Sequence, residues 1–198
     1  MYGILNSAVN TGLDSELVAT FMAPLNIKSN VPGFSLDTVS LKRKSSRSNV
    51  QRWELEVAIQ PTNDSANFFV HNVVNGFDNV IYARMPQIYL VSHGNAGLSK
   101  RTPVGAPIGI RPVLGVANDY YSGASTIDIE GLGNYNMAVG EFIKFANDPK
   151  VYIVTQPGDK GVGVGIFPSL RKAKPKHTQI FYGDFVTLEC FYDNSNAF

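Results

Sequence analysis

From about residue 111 onward, glycine or proline cuts the chain every few residues, and the pieces between are too short to make helices. Ile127 and Ile129 alternate with Thr126, Asp128 and Glu130 up to Gly131, and Phe142-Ile143-Lys144-Phe145 follows Gly140. Val151-Tyr152-Ile153-Val154 follows Asp148-Pro149-Lys150, and Gly161 to Phe167 sets Val and Ile between glycines before Pro168. The last such run, Asp184 to Tyr192, places Val186, Leu188, Cys190 and Tyr192 on one face. Period-two alternation bounded by turn residues reads as strands. Strands at this spacing predict a small barrel of the OB or SH3-like kind over residues 111–198. Gly163 and Gly165 suit a strand bent at a barrel corner.

The first half reads differently. Trp53, Leu55, Val57 and Ile59 alternate with Arg52, Glu54 and Glu56, the pattern of an antiparallel strand with one wet face. Phe34 to Ser40 alternates more weakly, and the polar Lys44–Asn49 stretch between the two predicts a hairpin. After Pro61, with Asn63 or Asp64 as cap, Phe69, Val70, Val73, Val74 and Phe77 predict an amphipathic helix ended by Gly76. Short strands are expected at Val80–Ala83 and Gln87–Val91. Upstream, Asp14 or Ser15 could cap a short helix that Pro24 ends, so residues 1–30 read as an apolar arm. The expected fold is therefore mainly β with one or two short helices. It divides into an N-terminal arm (1–30), an antiparallel sheet or sandwich with one packed helix (31–92), a linker or long loop (93–110) and a C-terminal barrel (111–198).

Composition narrows function. The 17 Lys+Arg against 16 Asp+Glu argue against a strongly electrostatic nucleic-acid binder. Cys190, the one cysteine, rules out an internal disulfide and a Cys-rich zinc site, and points to a reducing compartment. No apolar run approaches a bilayer span, so membrane insertion is not expected, and the first residues lack the pattern of a signal peptide.

Asp128 and Glu130 share one side of a strand, where alternation with isoleucine favours a solvated face over an acid–base pair. His71, His93 and His177 have no metal-ligand spacing. Gly158 to Gly165 lacks the Gly-Lys-Ser/Thr ending and the following helix of a phosphate loop. Two basic clusters, Lys42-Arg43-Lys44 with Arg47 and Arg171 to His177, are not interleaved in sequence with aromatics that would stack bases. No catalytic, metal or cofactor residues are expected, and Cys190 reads as a small core residue.

Two stretches resemble tail-tip proteins of tailed bacteriophages. The first is Asn49-Val50-Gln51-Arg52-Trp53-Glu54-Leu55-Glu56-Val57, then a short helix and Asn79-Val80-Ile81-Tyr82-Ala83-Arg84-Met85-Pro86. It is similar to the N-terminal domain of the distal tail proteins, which form a ring under the tail tube. The second runs through Gly115-Val116, Ser125 to Leu132, Ala138 to Phe145, Lys150 to Thr155 and Ile166 to Arg171. Its order, with a Lys-Val-Tyr strand and a Pro-x-Leu-Arg turn, is similar to phage minor tail proteins. Gly140-Glu141 stands where many members have Gly-Asp.

The resemblance implies a virion structural protein of the tail tip or baseplate, made late and assembled in the host cytoplasm. It implies no enzymatic activity and no cofactor. The implied partners are further copies of the chain in a hexameric ring, the tail tube, and tip or fibre proteins. Ile4, Leu5, Phe21 and Met22 are the expected inter-subunit contacts. Other readings are a tail-completion or baseplate adaptor, and a barrel that binds host glycan or single-stranded nucleic acid through Tyr120, Tyr121 and Tyr135.

Overall fold

The computed structural model describes residues 2–6, 17–37, 43–47, 51–60, 62–74, 80–84, 113–132, 137–158 and 163–191. The fold is mainly β, as expected. The chain divides into a smaller unit, Met22–Ala58, and a larger one formed by Met1–Phe21 and Ile59–Phe198. The expected 93–110 linker and the Gln87–Val91 strand lie outside the described residues.

Much of the apolar arm is strand. β1 (Gly3–Leu5) pairs antiparallel with the start of β2 (Leu17–Asn30) and with β6 (Ile81–Arg84). This corrects the expected short helix before Pro24. The fixed φ of proline blocks a helix but remains close to extended backbone. β14 (Leu188–Cys190) adds to the other edge of β6, giving the order β14-β6-β1-β2 in the larger unit. Ile4, Ala19 and Ile81 form the core of this sheet, with Val18, Phe21, Ile59, Phe68 and Cys190 packed against them. Gly3 is required here, because a Cβ at that position would fall on the Ala19 carbonyl. Gly3→Val is accordingly expected to cost about 1–3 kcal/mol through overpacking, read by urea unfolding.

In the smaller unit, β5 (Arg52–Ile59) is the hydrogen-bonded neighbour of β2, and β3 (Gly33–Asp37) pairs with β4 (Arg43–Arg47). The expected hairpin between Phe34–Ser40 and the Trp53 strand is thus replaced by two different pairings. The Arg43–Arg47 run is polar throughout, and a strand with no apolar face leaves no period-two signal. Along the β2–β5 pair, Asn30 donates to Glu54 at 2.8 Å, and Lys28 lies 3.6 Å from Glu56. The Asn30 amide, followed by Arg52, holds the Glu54 carboxyl below its usual range.

The second sheet has the order β8-β12-β11-β10-β13-β7-β9. Its strands are β7 (Leu114–Val116), β8 (Thr126–Ile127), β9 (Ile129–Glu130), β10 (Phe142–Phe145), β11 (Val151–Gln156), β12 (Val164–Phe167) and β13 (Gln179–Tyr182). The two end strands, β8 and β9, are the halves of one segment interrupted at Asp128. The sheet therefore curls until its edges meet on that segment. At the interruption the Tyr120 hydroxyl accepts the Asp128 N–H and donates to Asp128 Oδ2, both at 2.8 Å, so the switch of partners leaves no orphan amide.

Inside lie Ile127, Ile143, Phe145, Tyr152, Val154 and Ile180, all buried; Ile180 sits on β13, which, like β7, was not among the strands expected from the sequence. The register of β11 on β12 slips between Val154 and Gln156, opposite Gly165. A Cβ on Gly165 would come within 2.8 Å of the Gln156 Cβ. The glycine thus serves close approach at a bulge, in keeping with the expected bend.

β14 departs from expectation. The Asp184–Tyr192 run opens with a 3-10 turn at Gly183–Phe185, and its strand joins β6 instead of the barrel strands. Alternation reports which face is buried, not against which sheet. Lys144 on β10 and Glu189 on β14 form a 2.7 Å ion pair, so the returning strand is tied back to the barrel. Cys190 is half-buried beside Glu189, and burial followed by that charge pushes its thiol up to about 11. Slow alkylation by iodoacetamide at pH 8, accelerated by urea, is the expected result.

Candidate functional site

α1 (Asn63–Val74) begins where the sequence predicts a helix, but the cap is Thr62. Its hydroxyl accepts the Ser65 N–H at 3.2 Å, while the Thr62 N–H donates to Ser65 Oγ at 2.8 Å. This reciprocal arrangement is a capping box with serine in the third helical position. The helix then packs opposite to its apolar pattern. Ser65 and Asn72 are buried, and both are satisfied locally: Ser65 Oγ reaches the Gln60 carbonyl, and Asn72 Nδ2 the Phe68 carbonyl, each at 2.8 Å. Phe69, Val70 and Val74 are 49%, 59% and 77% exposed. The expected core stripe is corrected: these three side chains point outward, because the helix meets the sheet through Phe68 and two self-satisfied polar residues. Beside it an open groove of about 420 Å³ is lined by Leu17, Val18, Phe68, Asp64, Asn67 and His71.

The expected contact residues separate. Ile4 and Leu5 are buried in their own sheet, and Phe21 packs on the same cluster. Met22 is left 44% exposed. Apolar content alone could not distinguish a surface from a central strand.

The remaining candidates go to different places. Asp128 is held by Tyr120 and, at 3.1 Å, by Asn118 Nδ2. Glu130 meets His177, whose Nδ1 lies 2.6 Å from Glu130 Oε1. The two acids therefore serve different partners. His71 lines the α1 groove, while His93 and Tyr135 lie outside the described residues. Arg43 and Arg47 fall on β4. Among the described residues, no group of three or more His, Cys, Asp or Glu side chains is placed to hold a metal ion. No described helix is long and apolar enough to cross a membrane.

A polar cluster that the sequence reading missed sits at one end of the barrel. The Asp148 side chain is fully buried, with Lys174 Nζ 2.6 Å from its Oδ2 and the Lys150 N–H donating to its Oδ1 at 3.0 Å. The buried Tyr152 hydroxyl donates to Oδ2 at 3.1 Å. Lys174 Nζ also stands 5.2 Å from the Phe145 ring centroid, and that ring meets Tyr152 edge-on. Burial alone would raise the Asp148 pKa, but the Lys174 ammonium and the donors around it hold the carboxyl below its usual range. Burial, then the Arg171 charge, brings the Lys150 ammonium down to about 8. Burial pushes the Tyr152 hydroxyl well above its ordinary value. The available signal was two oppositely charged residues among buried neighbours, Asp148 before Pro149 and Lys174 before Pro175, but nothing in sequence links them.

The chain matches no family model and no curated protein.

Proposed function

We propose that this protein is a structural component of a phage tail tip or baseplate, assembled from copies of itself into a closed ring of the distal-tail kind. Such a ring, six-fold by the resemblance, would join the tail tube to tip or fibre proteins, and no bond would be made or broken by its side chains. The observation that carries the reading is α1, where Phe69, Val70 and Val74 face outward while Ser65 and Asn72 are buried. Exposed Phe69, Val70 and Val74 suit burial against a neighbouring molecule, since clustered apolar surface is characteristic of interaction sites. A near-balanced charge, 17 cations against 16 anions, lets identical copies abut without strong repulsion. A head-to-tail contact repeated about an axis closes into a ring without requiring a self-complementary patch.

The deciding experiment combines negative-stain imaging with light-scattering mass on the purified chain. A closed annulus with a mass several times 21.6 kDa is the expected result. A strict monomer at every accessible concentration, or substrate turnover, would overturn the reading.

A further inference from the structure

The sheet that carries α1 exposes a second apolar surface. The last ladder pair between β14 and β6 is Cys190 with Ile81. One residue beyond that pair on each strand stand Phe191, 69% exposed, and Val80, 38% exposed. Cys190 packs on the Ile4, Ala19 and Ile81 cluster, on the side of the sheet that also receives Phe68 of α1. Side chains alternate along a strand, so Phe191 points to the other side, as Glu189 does in reaching Lys144 on the barrel. A ring aimed that way does not fill the α1 groove of its own chain.

The groove has the chemistry of a receptor for an uncharged apolar group. Half-buried Leu17, Val18 and Phe68 give it an apolar lining, and the exposed Asp64, Asn67 and His71 complete it without a row of like charges. Val70 and Val74 follow Asn67 and His71 by three positions and adjoin them on the helix surface, so the groove runs on into the outward face of α1. A concave apolar surface and an exposed aromatic ring, aimed to opposite sides of one sheet, are unlike surfaces. Unlike surfaces meet head to tail, in the heterologous contact that repeats about an axis, whereas a two-fold contact needs the same patch on both copies.

We propose that Phe191 of one copy, with Val80 beside it, inserts into the α1 groove of the next copy. This contact rests on the assembly reading above and supplies the two surfaces that reading needs. An aromatic side chain taken from water into a pocket is the kind of anchor that dominates the energy of an interface. Neither surface offers the cations that a nucleic acid requires. A second copy of this chain, with 17 cations against 16 anions, brings both an uncharged ring and an uncharged groove without strong repulsion.

Sedimentation velocity on the full-length chain tests this with two variants, Phe191→Asp and the pair Asn67→Arg with His71→Arg. All three positions are exposed, so each variant should keep the circular dichroism of the parent. The parent should form rings, and each variant alone should lose them and run as a monomer. An equimolar mixture of the two variants should form a one-to-one dimer and nothing larger. The intact Phe191 of one variant still meets the intact groove of the other, and the two altered surfaces then face outward and stop growth. Rings that survive either variant, or a mixture that stays monomeric, overturn this contact and leave the assembly reading standing. A parent that is monomeric at every accessible concentration overturns both.

Discussion

Lys174→Ala is expected to destabilise the chain by about 3 kcal/mol, because it leaves the buried Asp148 carboxylate with only the half-exposed Arg171 guanidinium, 4.0 Å away, as counter-charge. The pair is separated by 2.6 Å and both side chains are almost wholly removed from water. For a domain of this size the loss corresponds to a fall in melting temperature on the order of 10 °C. Removing both charges together, as Lys174→Met with Asp148→Asn, should cost much less. Asparagine still accepts the Lys150 N–H at its oxygen, its amide NH2 can donate to the Tyr152 hydroxyl oxygen, and no lone buried charge remains. Equal losses in the single and double variants would show that the pair contributes packing and not charge compensation.

The same pair gives a direction for acid sensitivity. The folded pKa of Asp148 lies below its unfolded value. Its contribution is therefore complete above the ordinary carboxylate range, near pH 4, and is lost as pH falls through the folded value. Urea midpoints measured from pH 6 down to pH 3 should drop more steeply for the parent than for the double variant.

The second large effect concerns assembly. Val70→Lys with Val74→Lys places two cations on the exposed face of α1 and, on the proposed assembly, should abolish ring formation while leaving the circular dichroism of the monomer unchanged. Surface substitutions of this kind typically move stability by less than about 0.5 kcal/mol, and a lysine in the last helical turn complements the helix dipole. Across an interface, however, each ammonium would have to be desolvated against apolar neighbours, a cost of several kcal/mol per contact repeated around the ring. Sedimentation velocity distinguishes the outcomes. Annuli that persist in the variant would remove α1 from the interface.

Much of the barrel was legible because its signal is local. The inward residues Ile127, Ile129, Phe145 and Tyr152 recur with the pleat, and Gly165 marks a place where a Cβ would strike the neighbouring strand. The smaller unit was less legible, since β4 is polar throughout and a proline lies within β2. α1 misled for a different reason. A stripe of Phe69, Val70 and Val74 reads as core by default, and local hydrogen bonds that satisfy Ser65 and Asn72 let the opposite face be buried instead.

Sequence by itself therefore determined the β character of this protein, the positions of most barrel strands and the existence of its helix, because these depend on periodicities and turn residues within a few positions of each other. Only the tertiary structure decided that β14 returns to β6, that Asp128 is where the barrel closes, that Lys174 finds Asp148, and that Tyr120 pairs with Lys174. Each of these joins residues distant along the chain, and pairing over such distances is selected by the complementarity of whole surfaces, which no local pattern encodes.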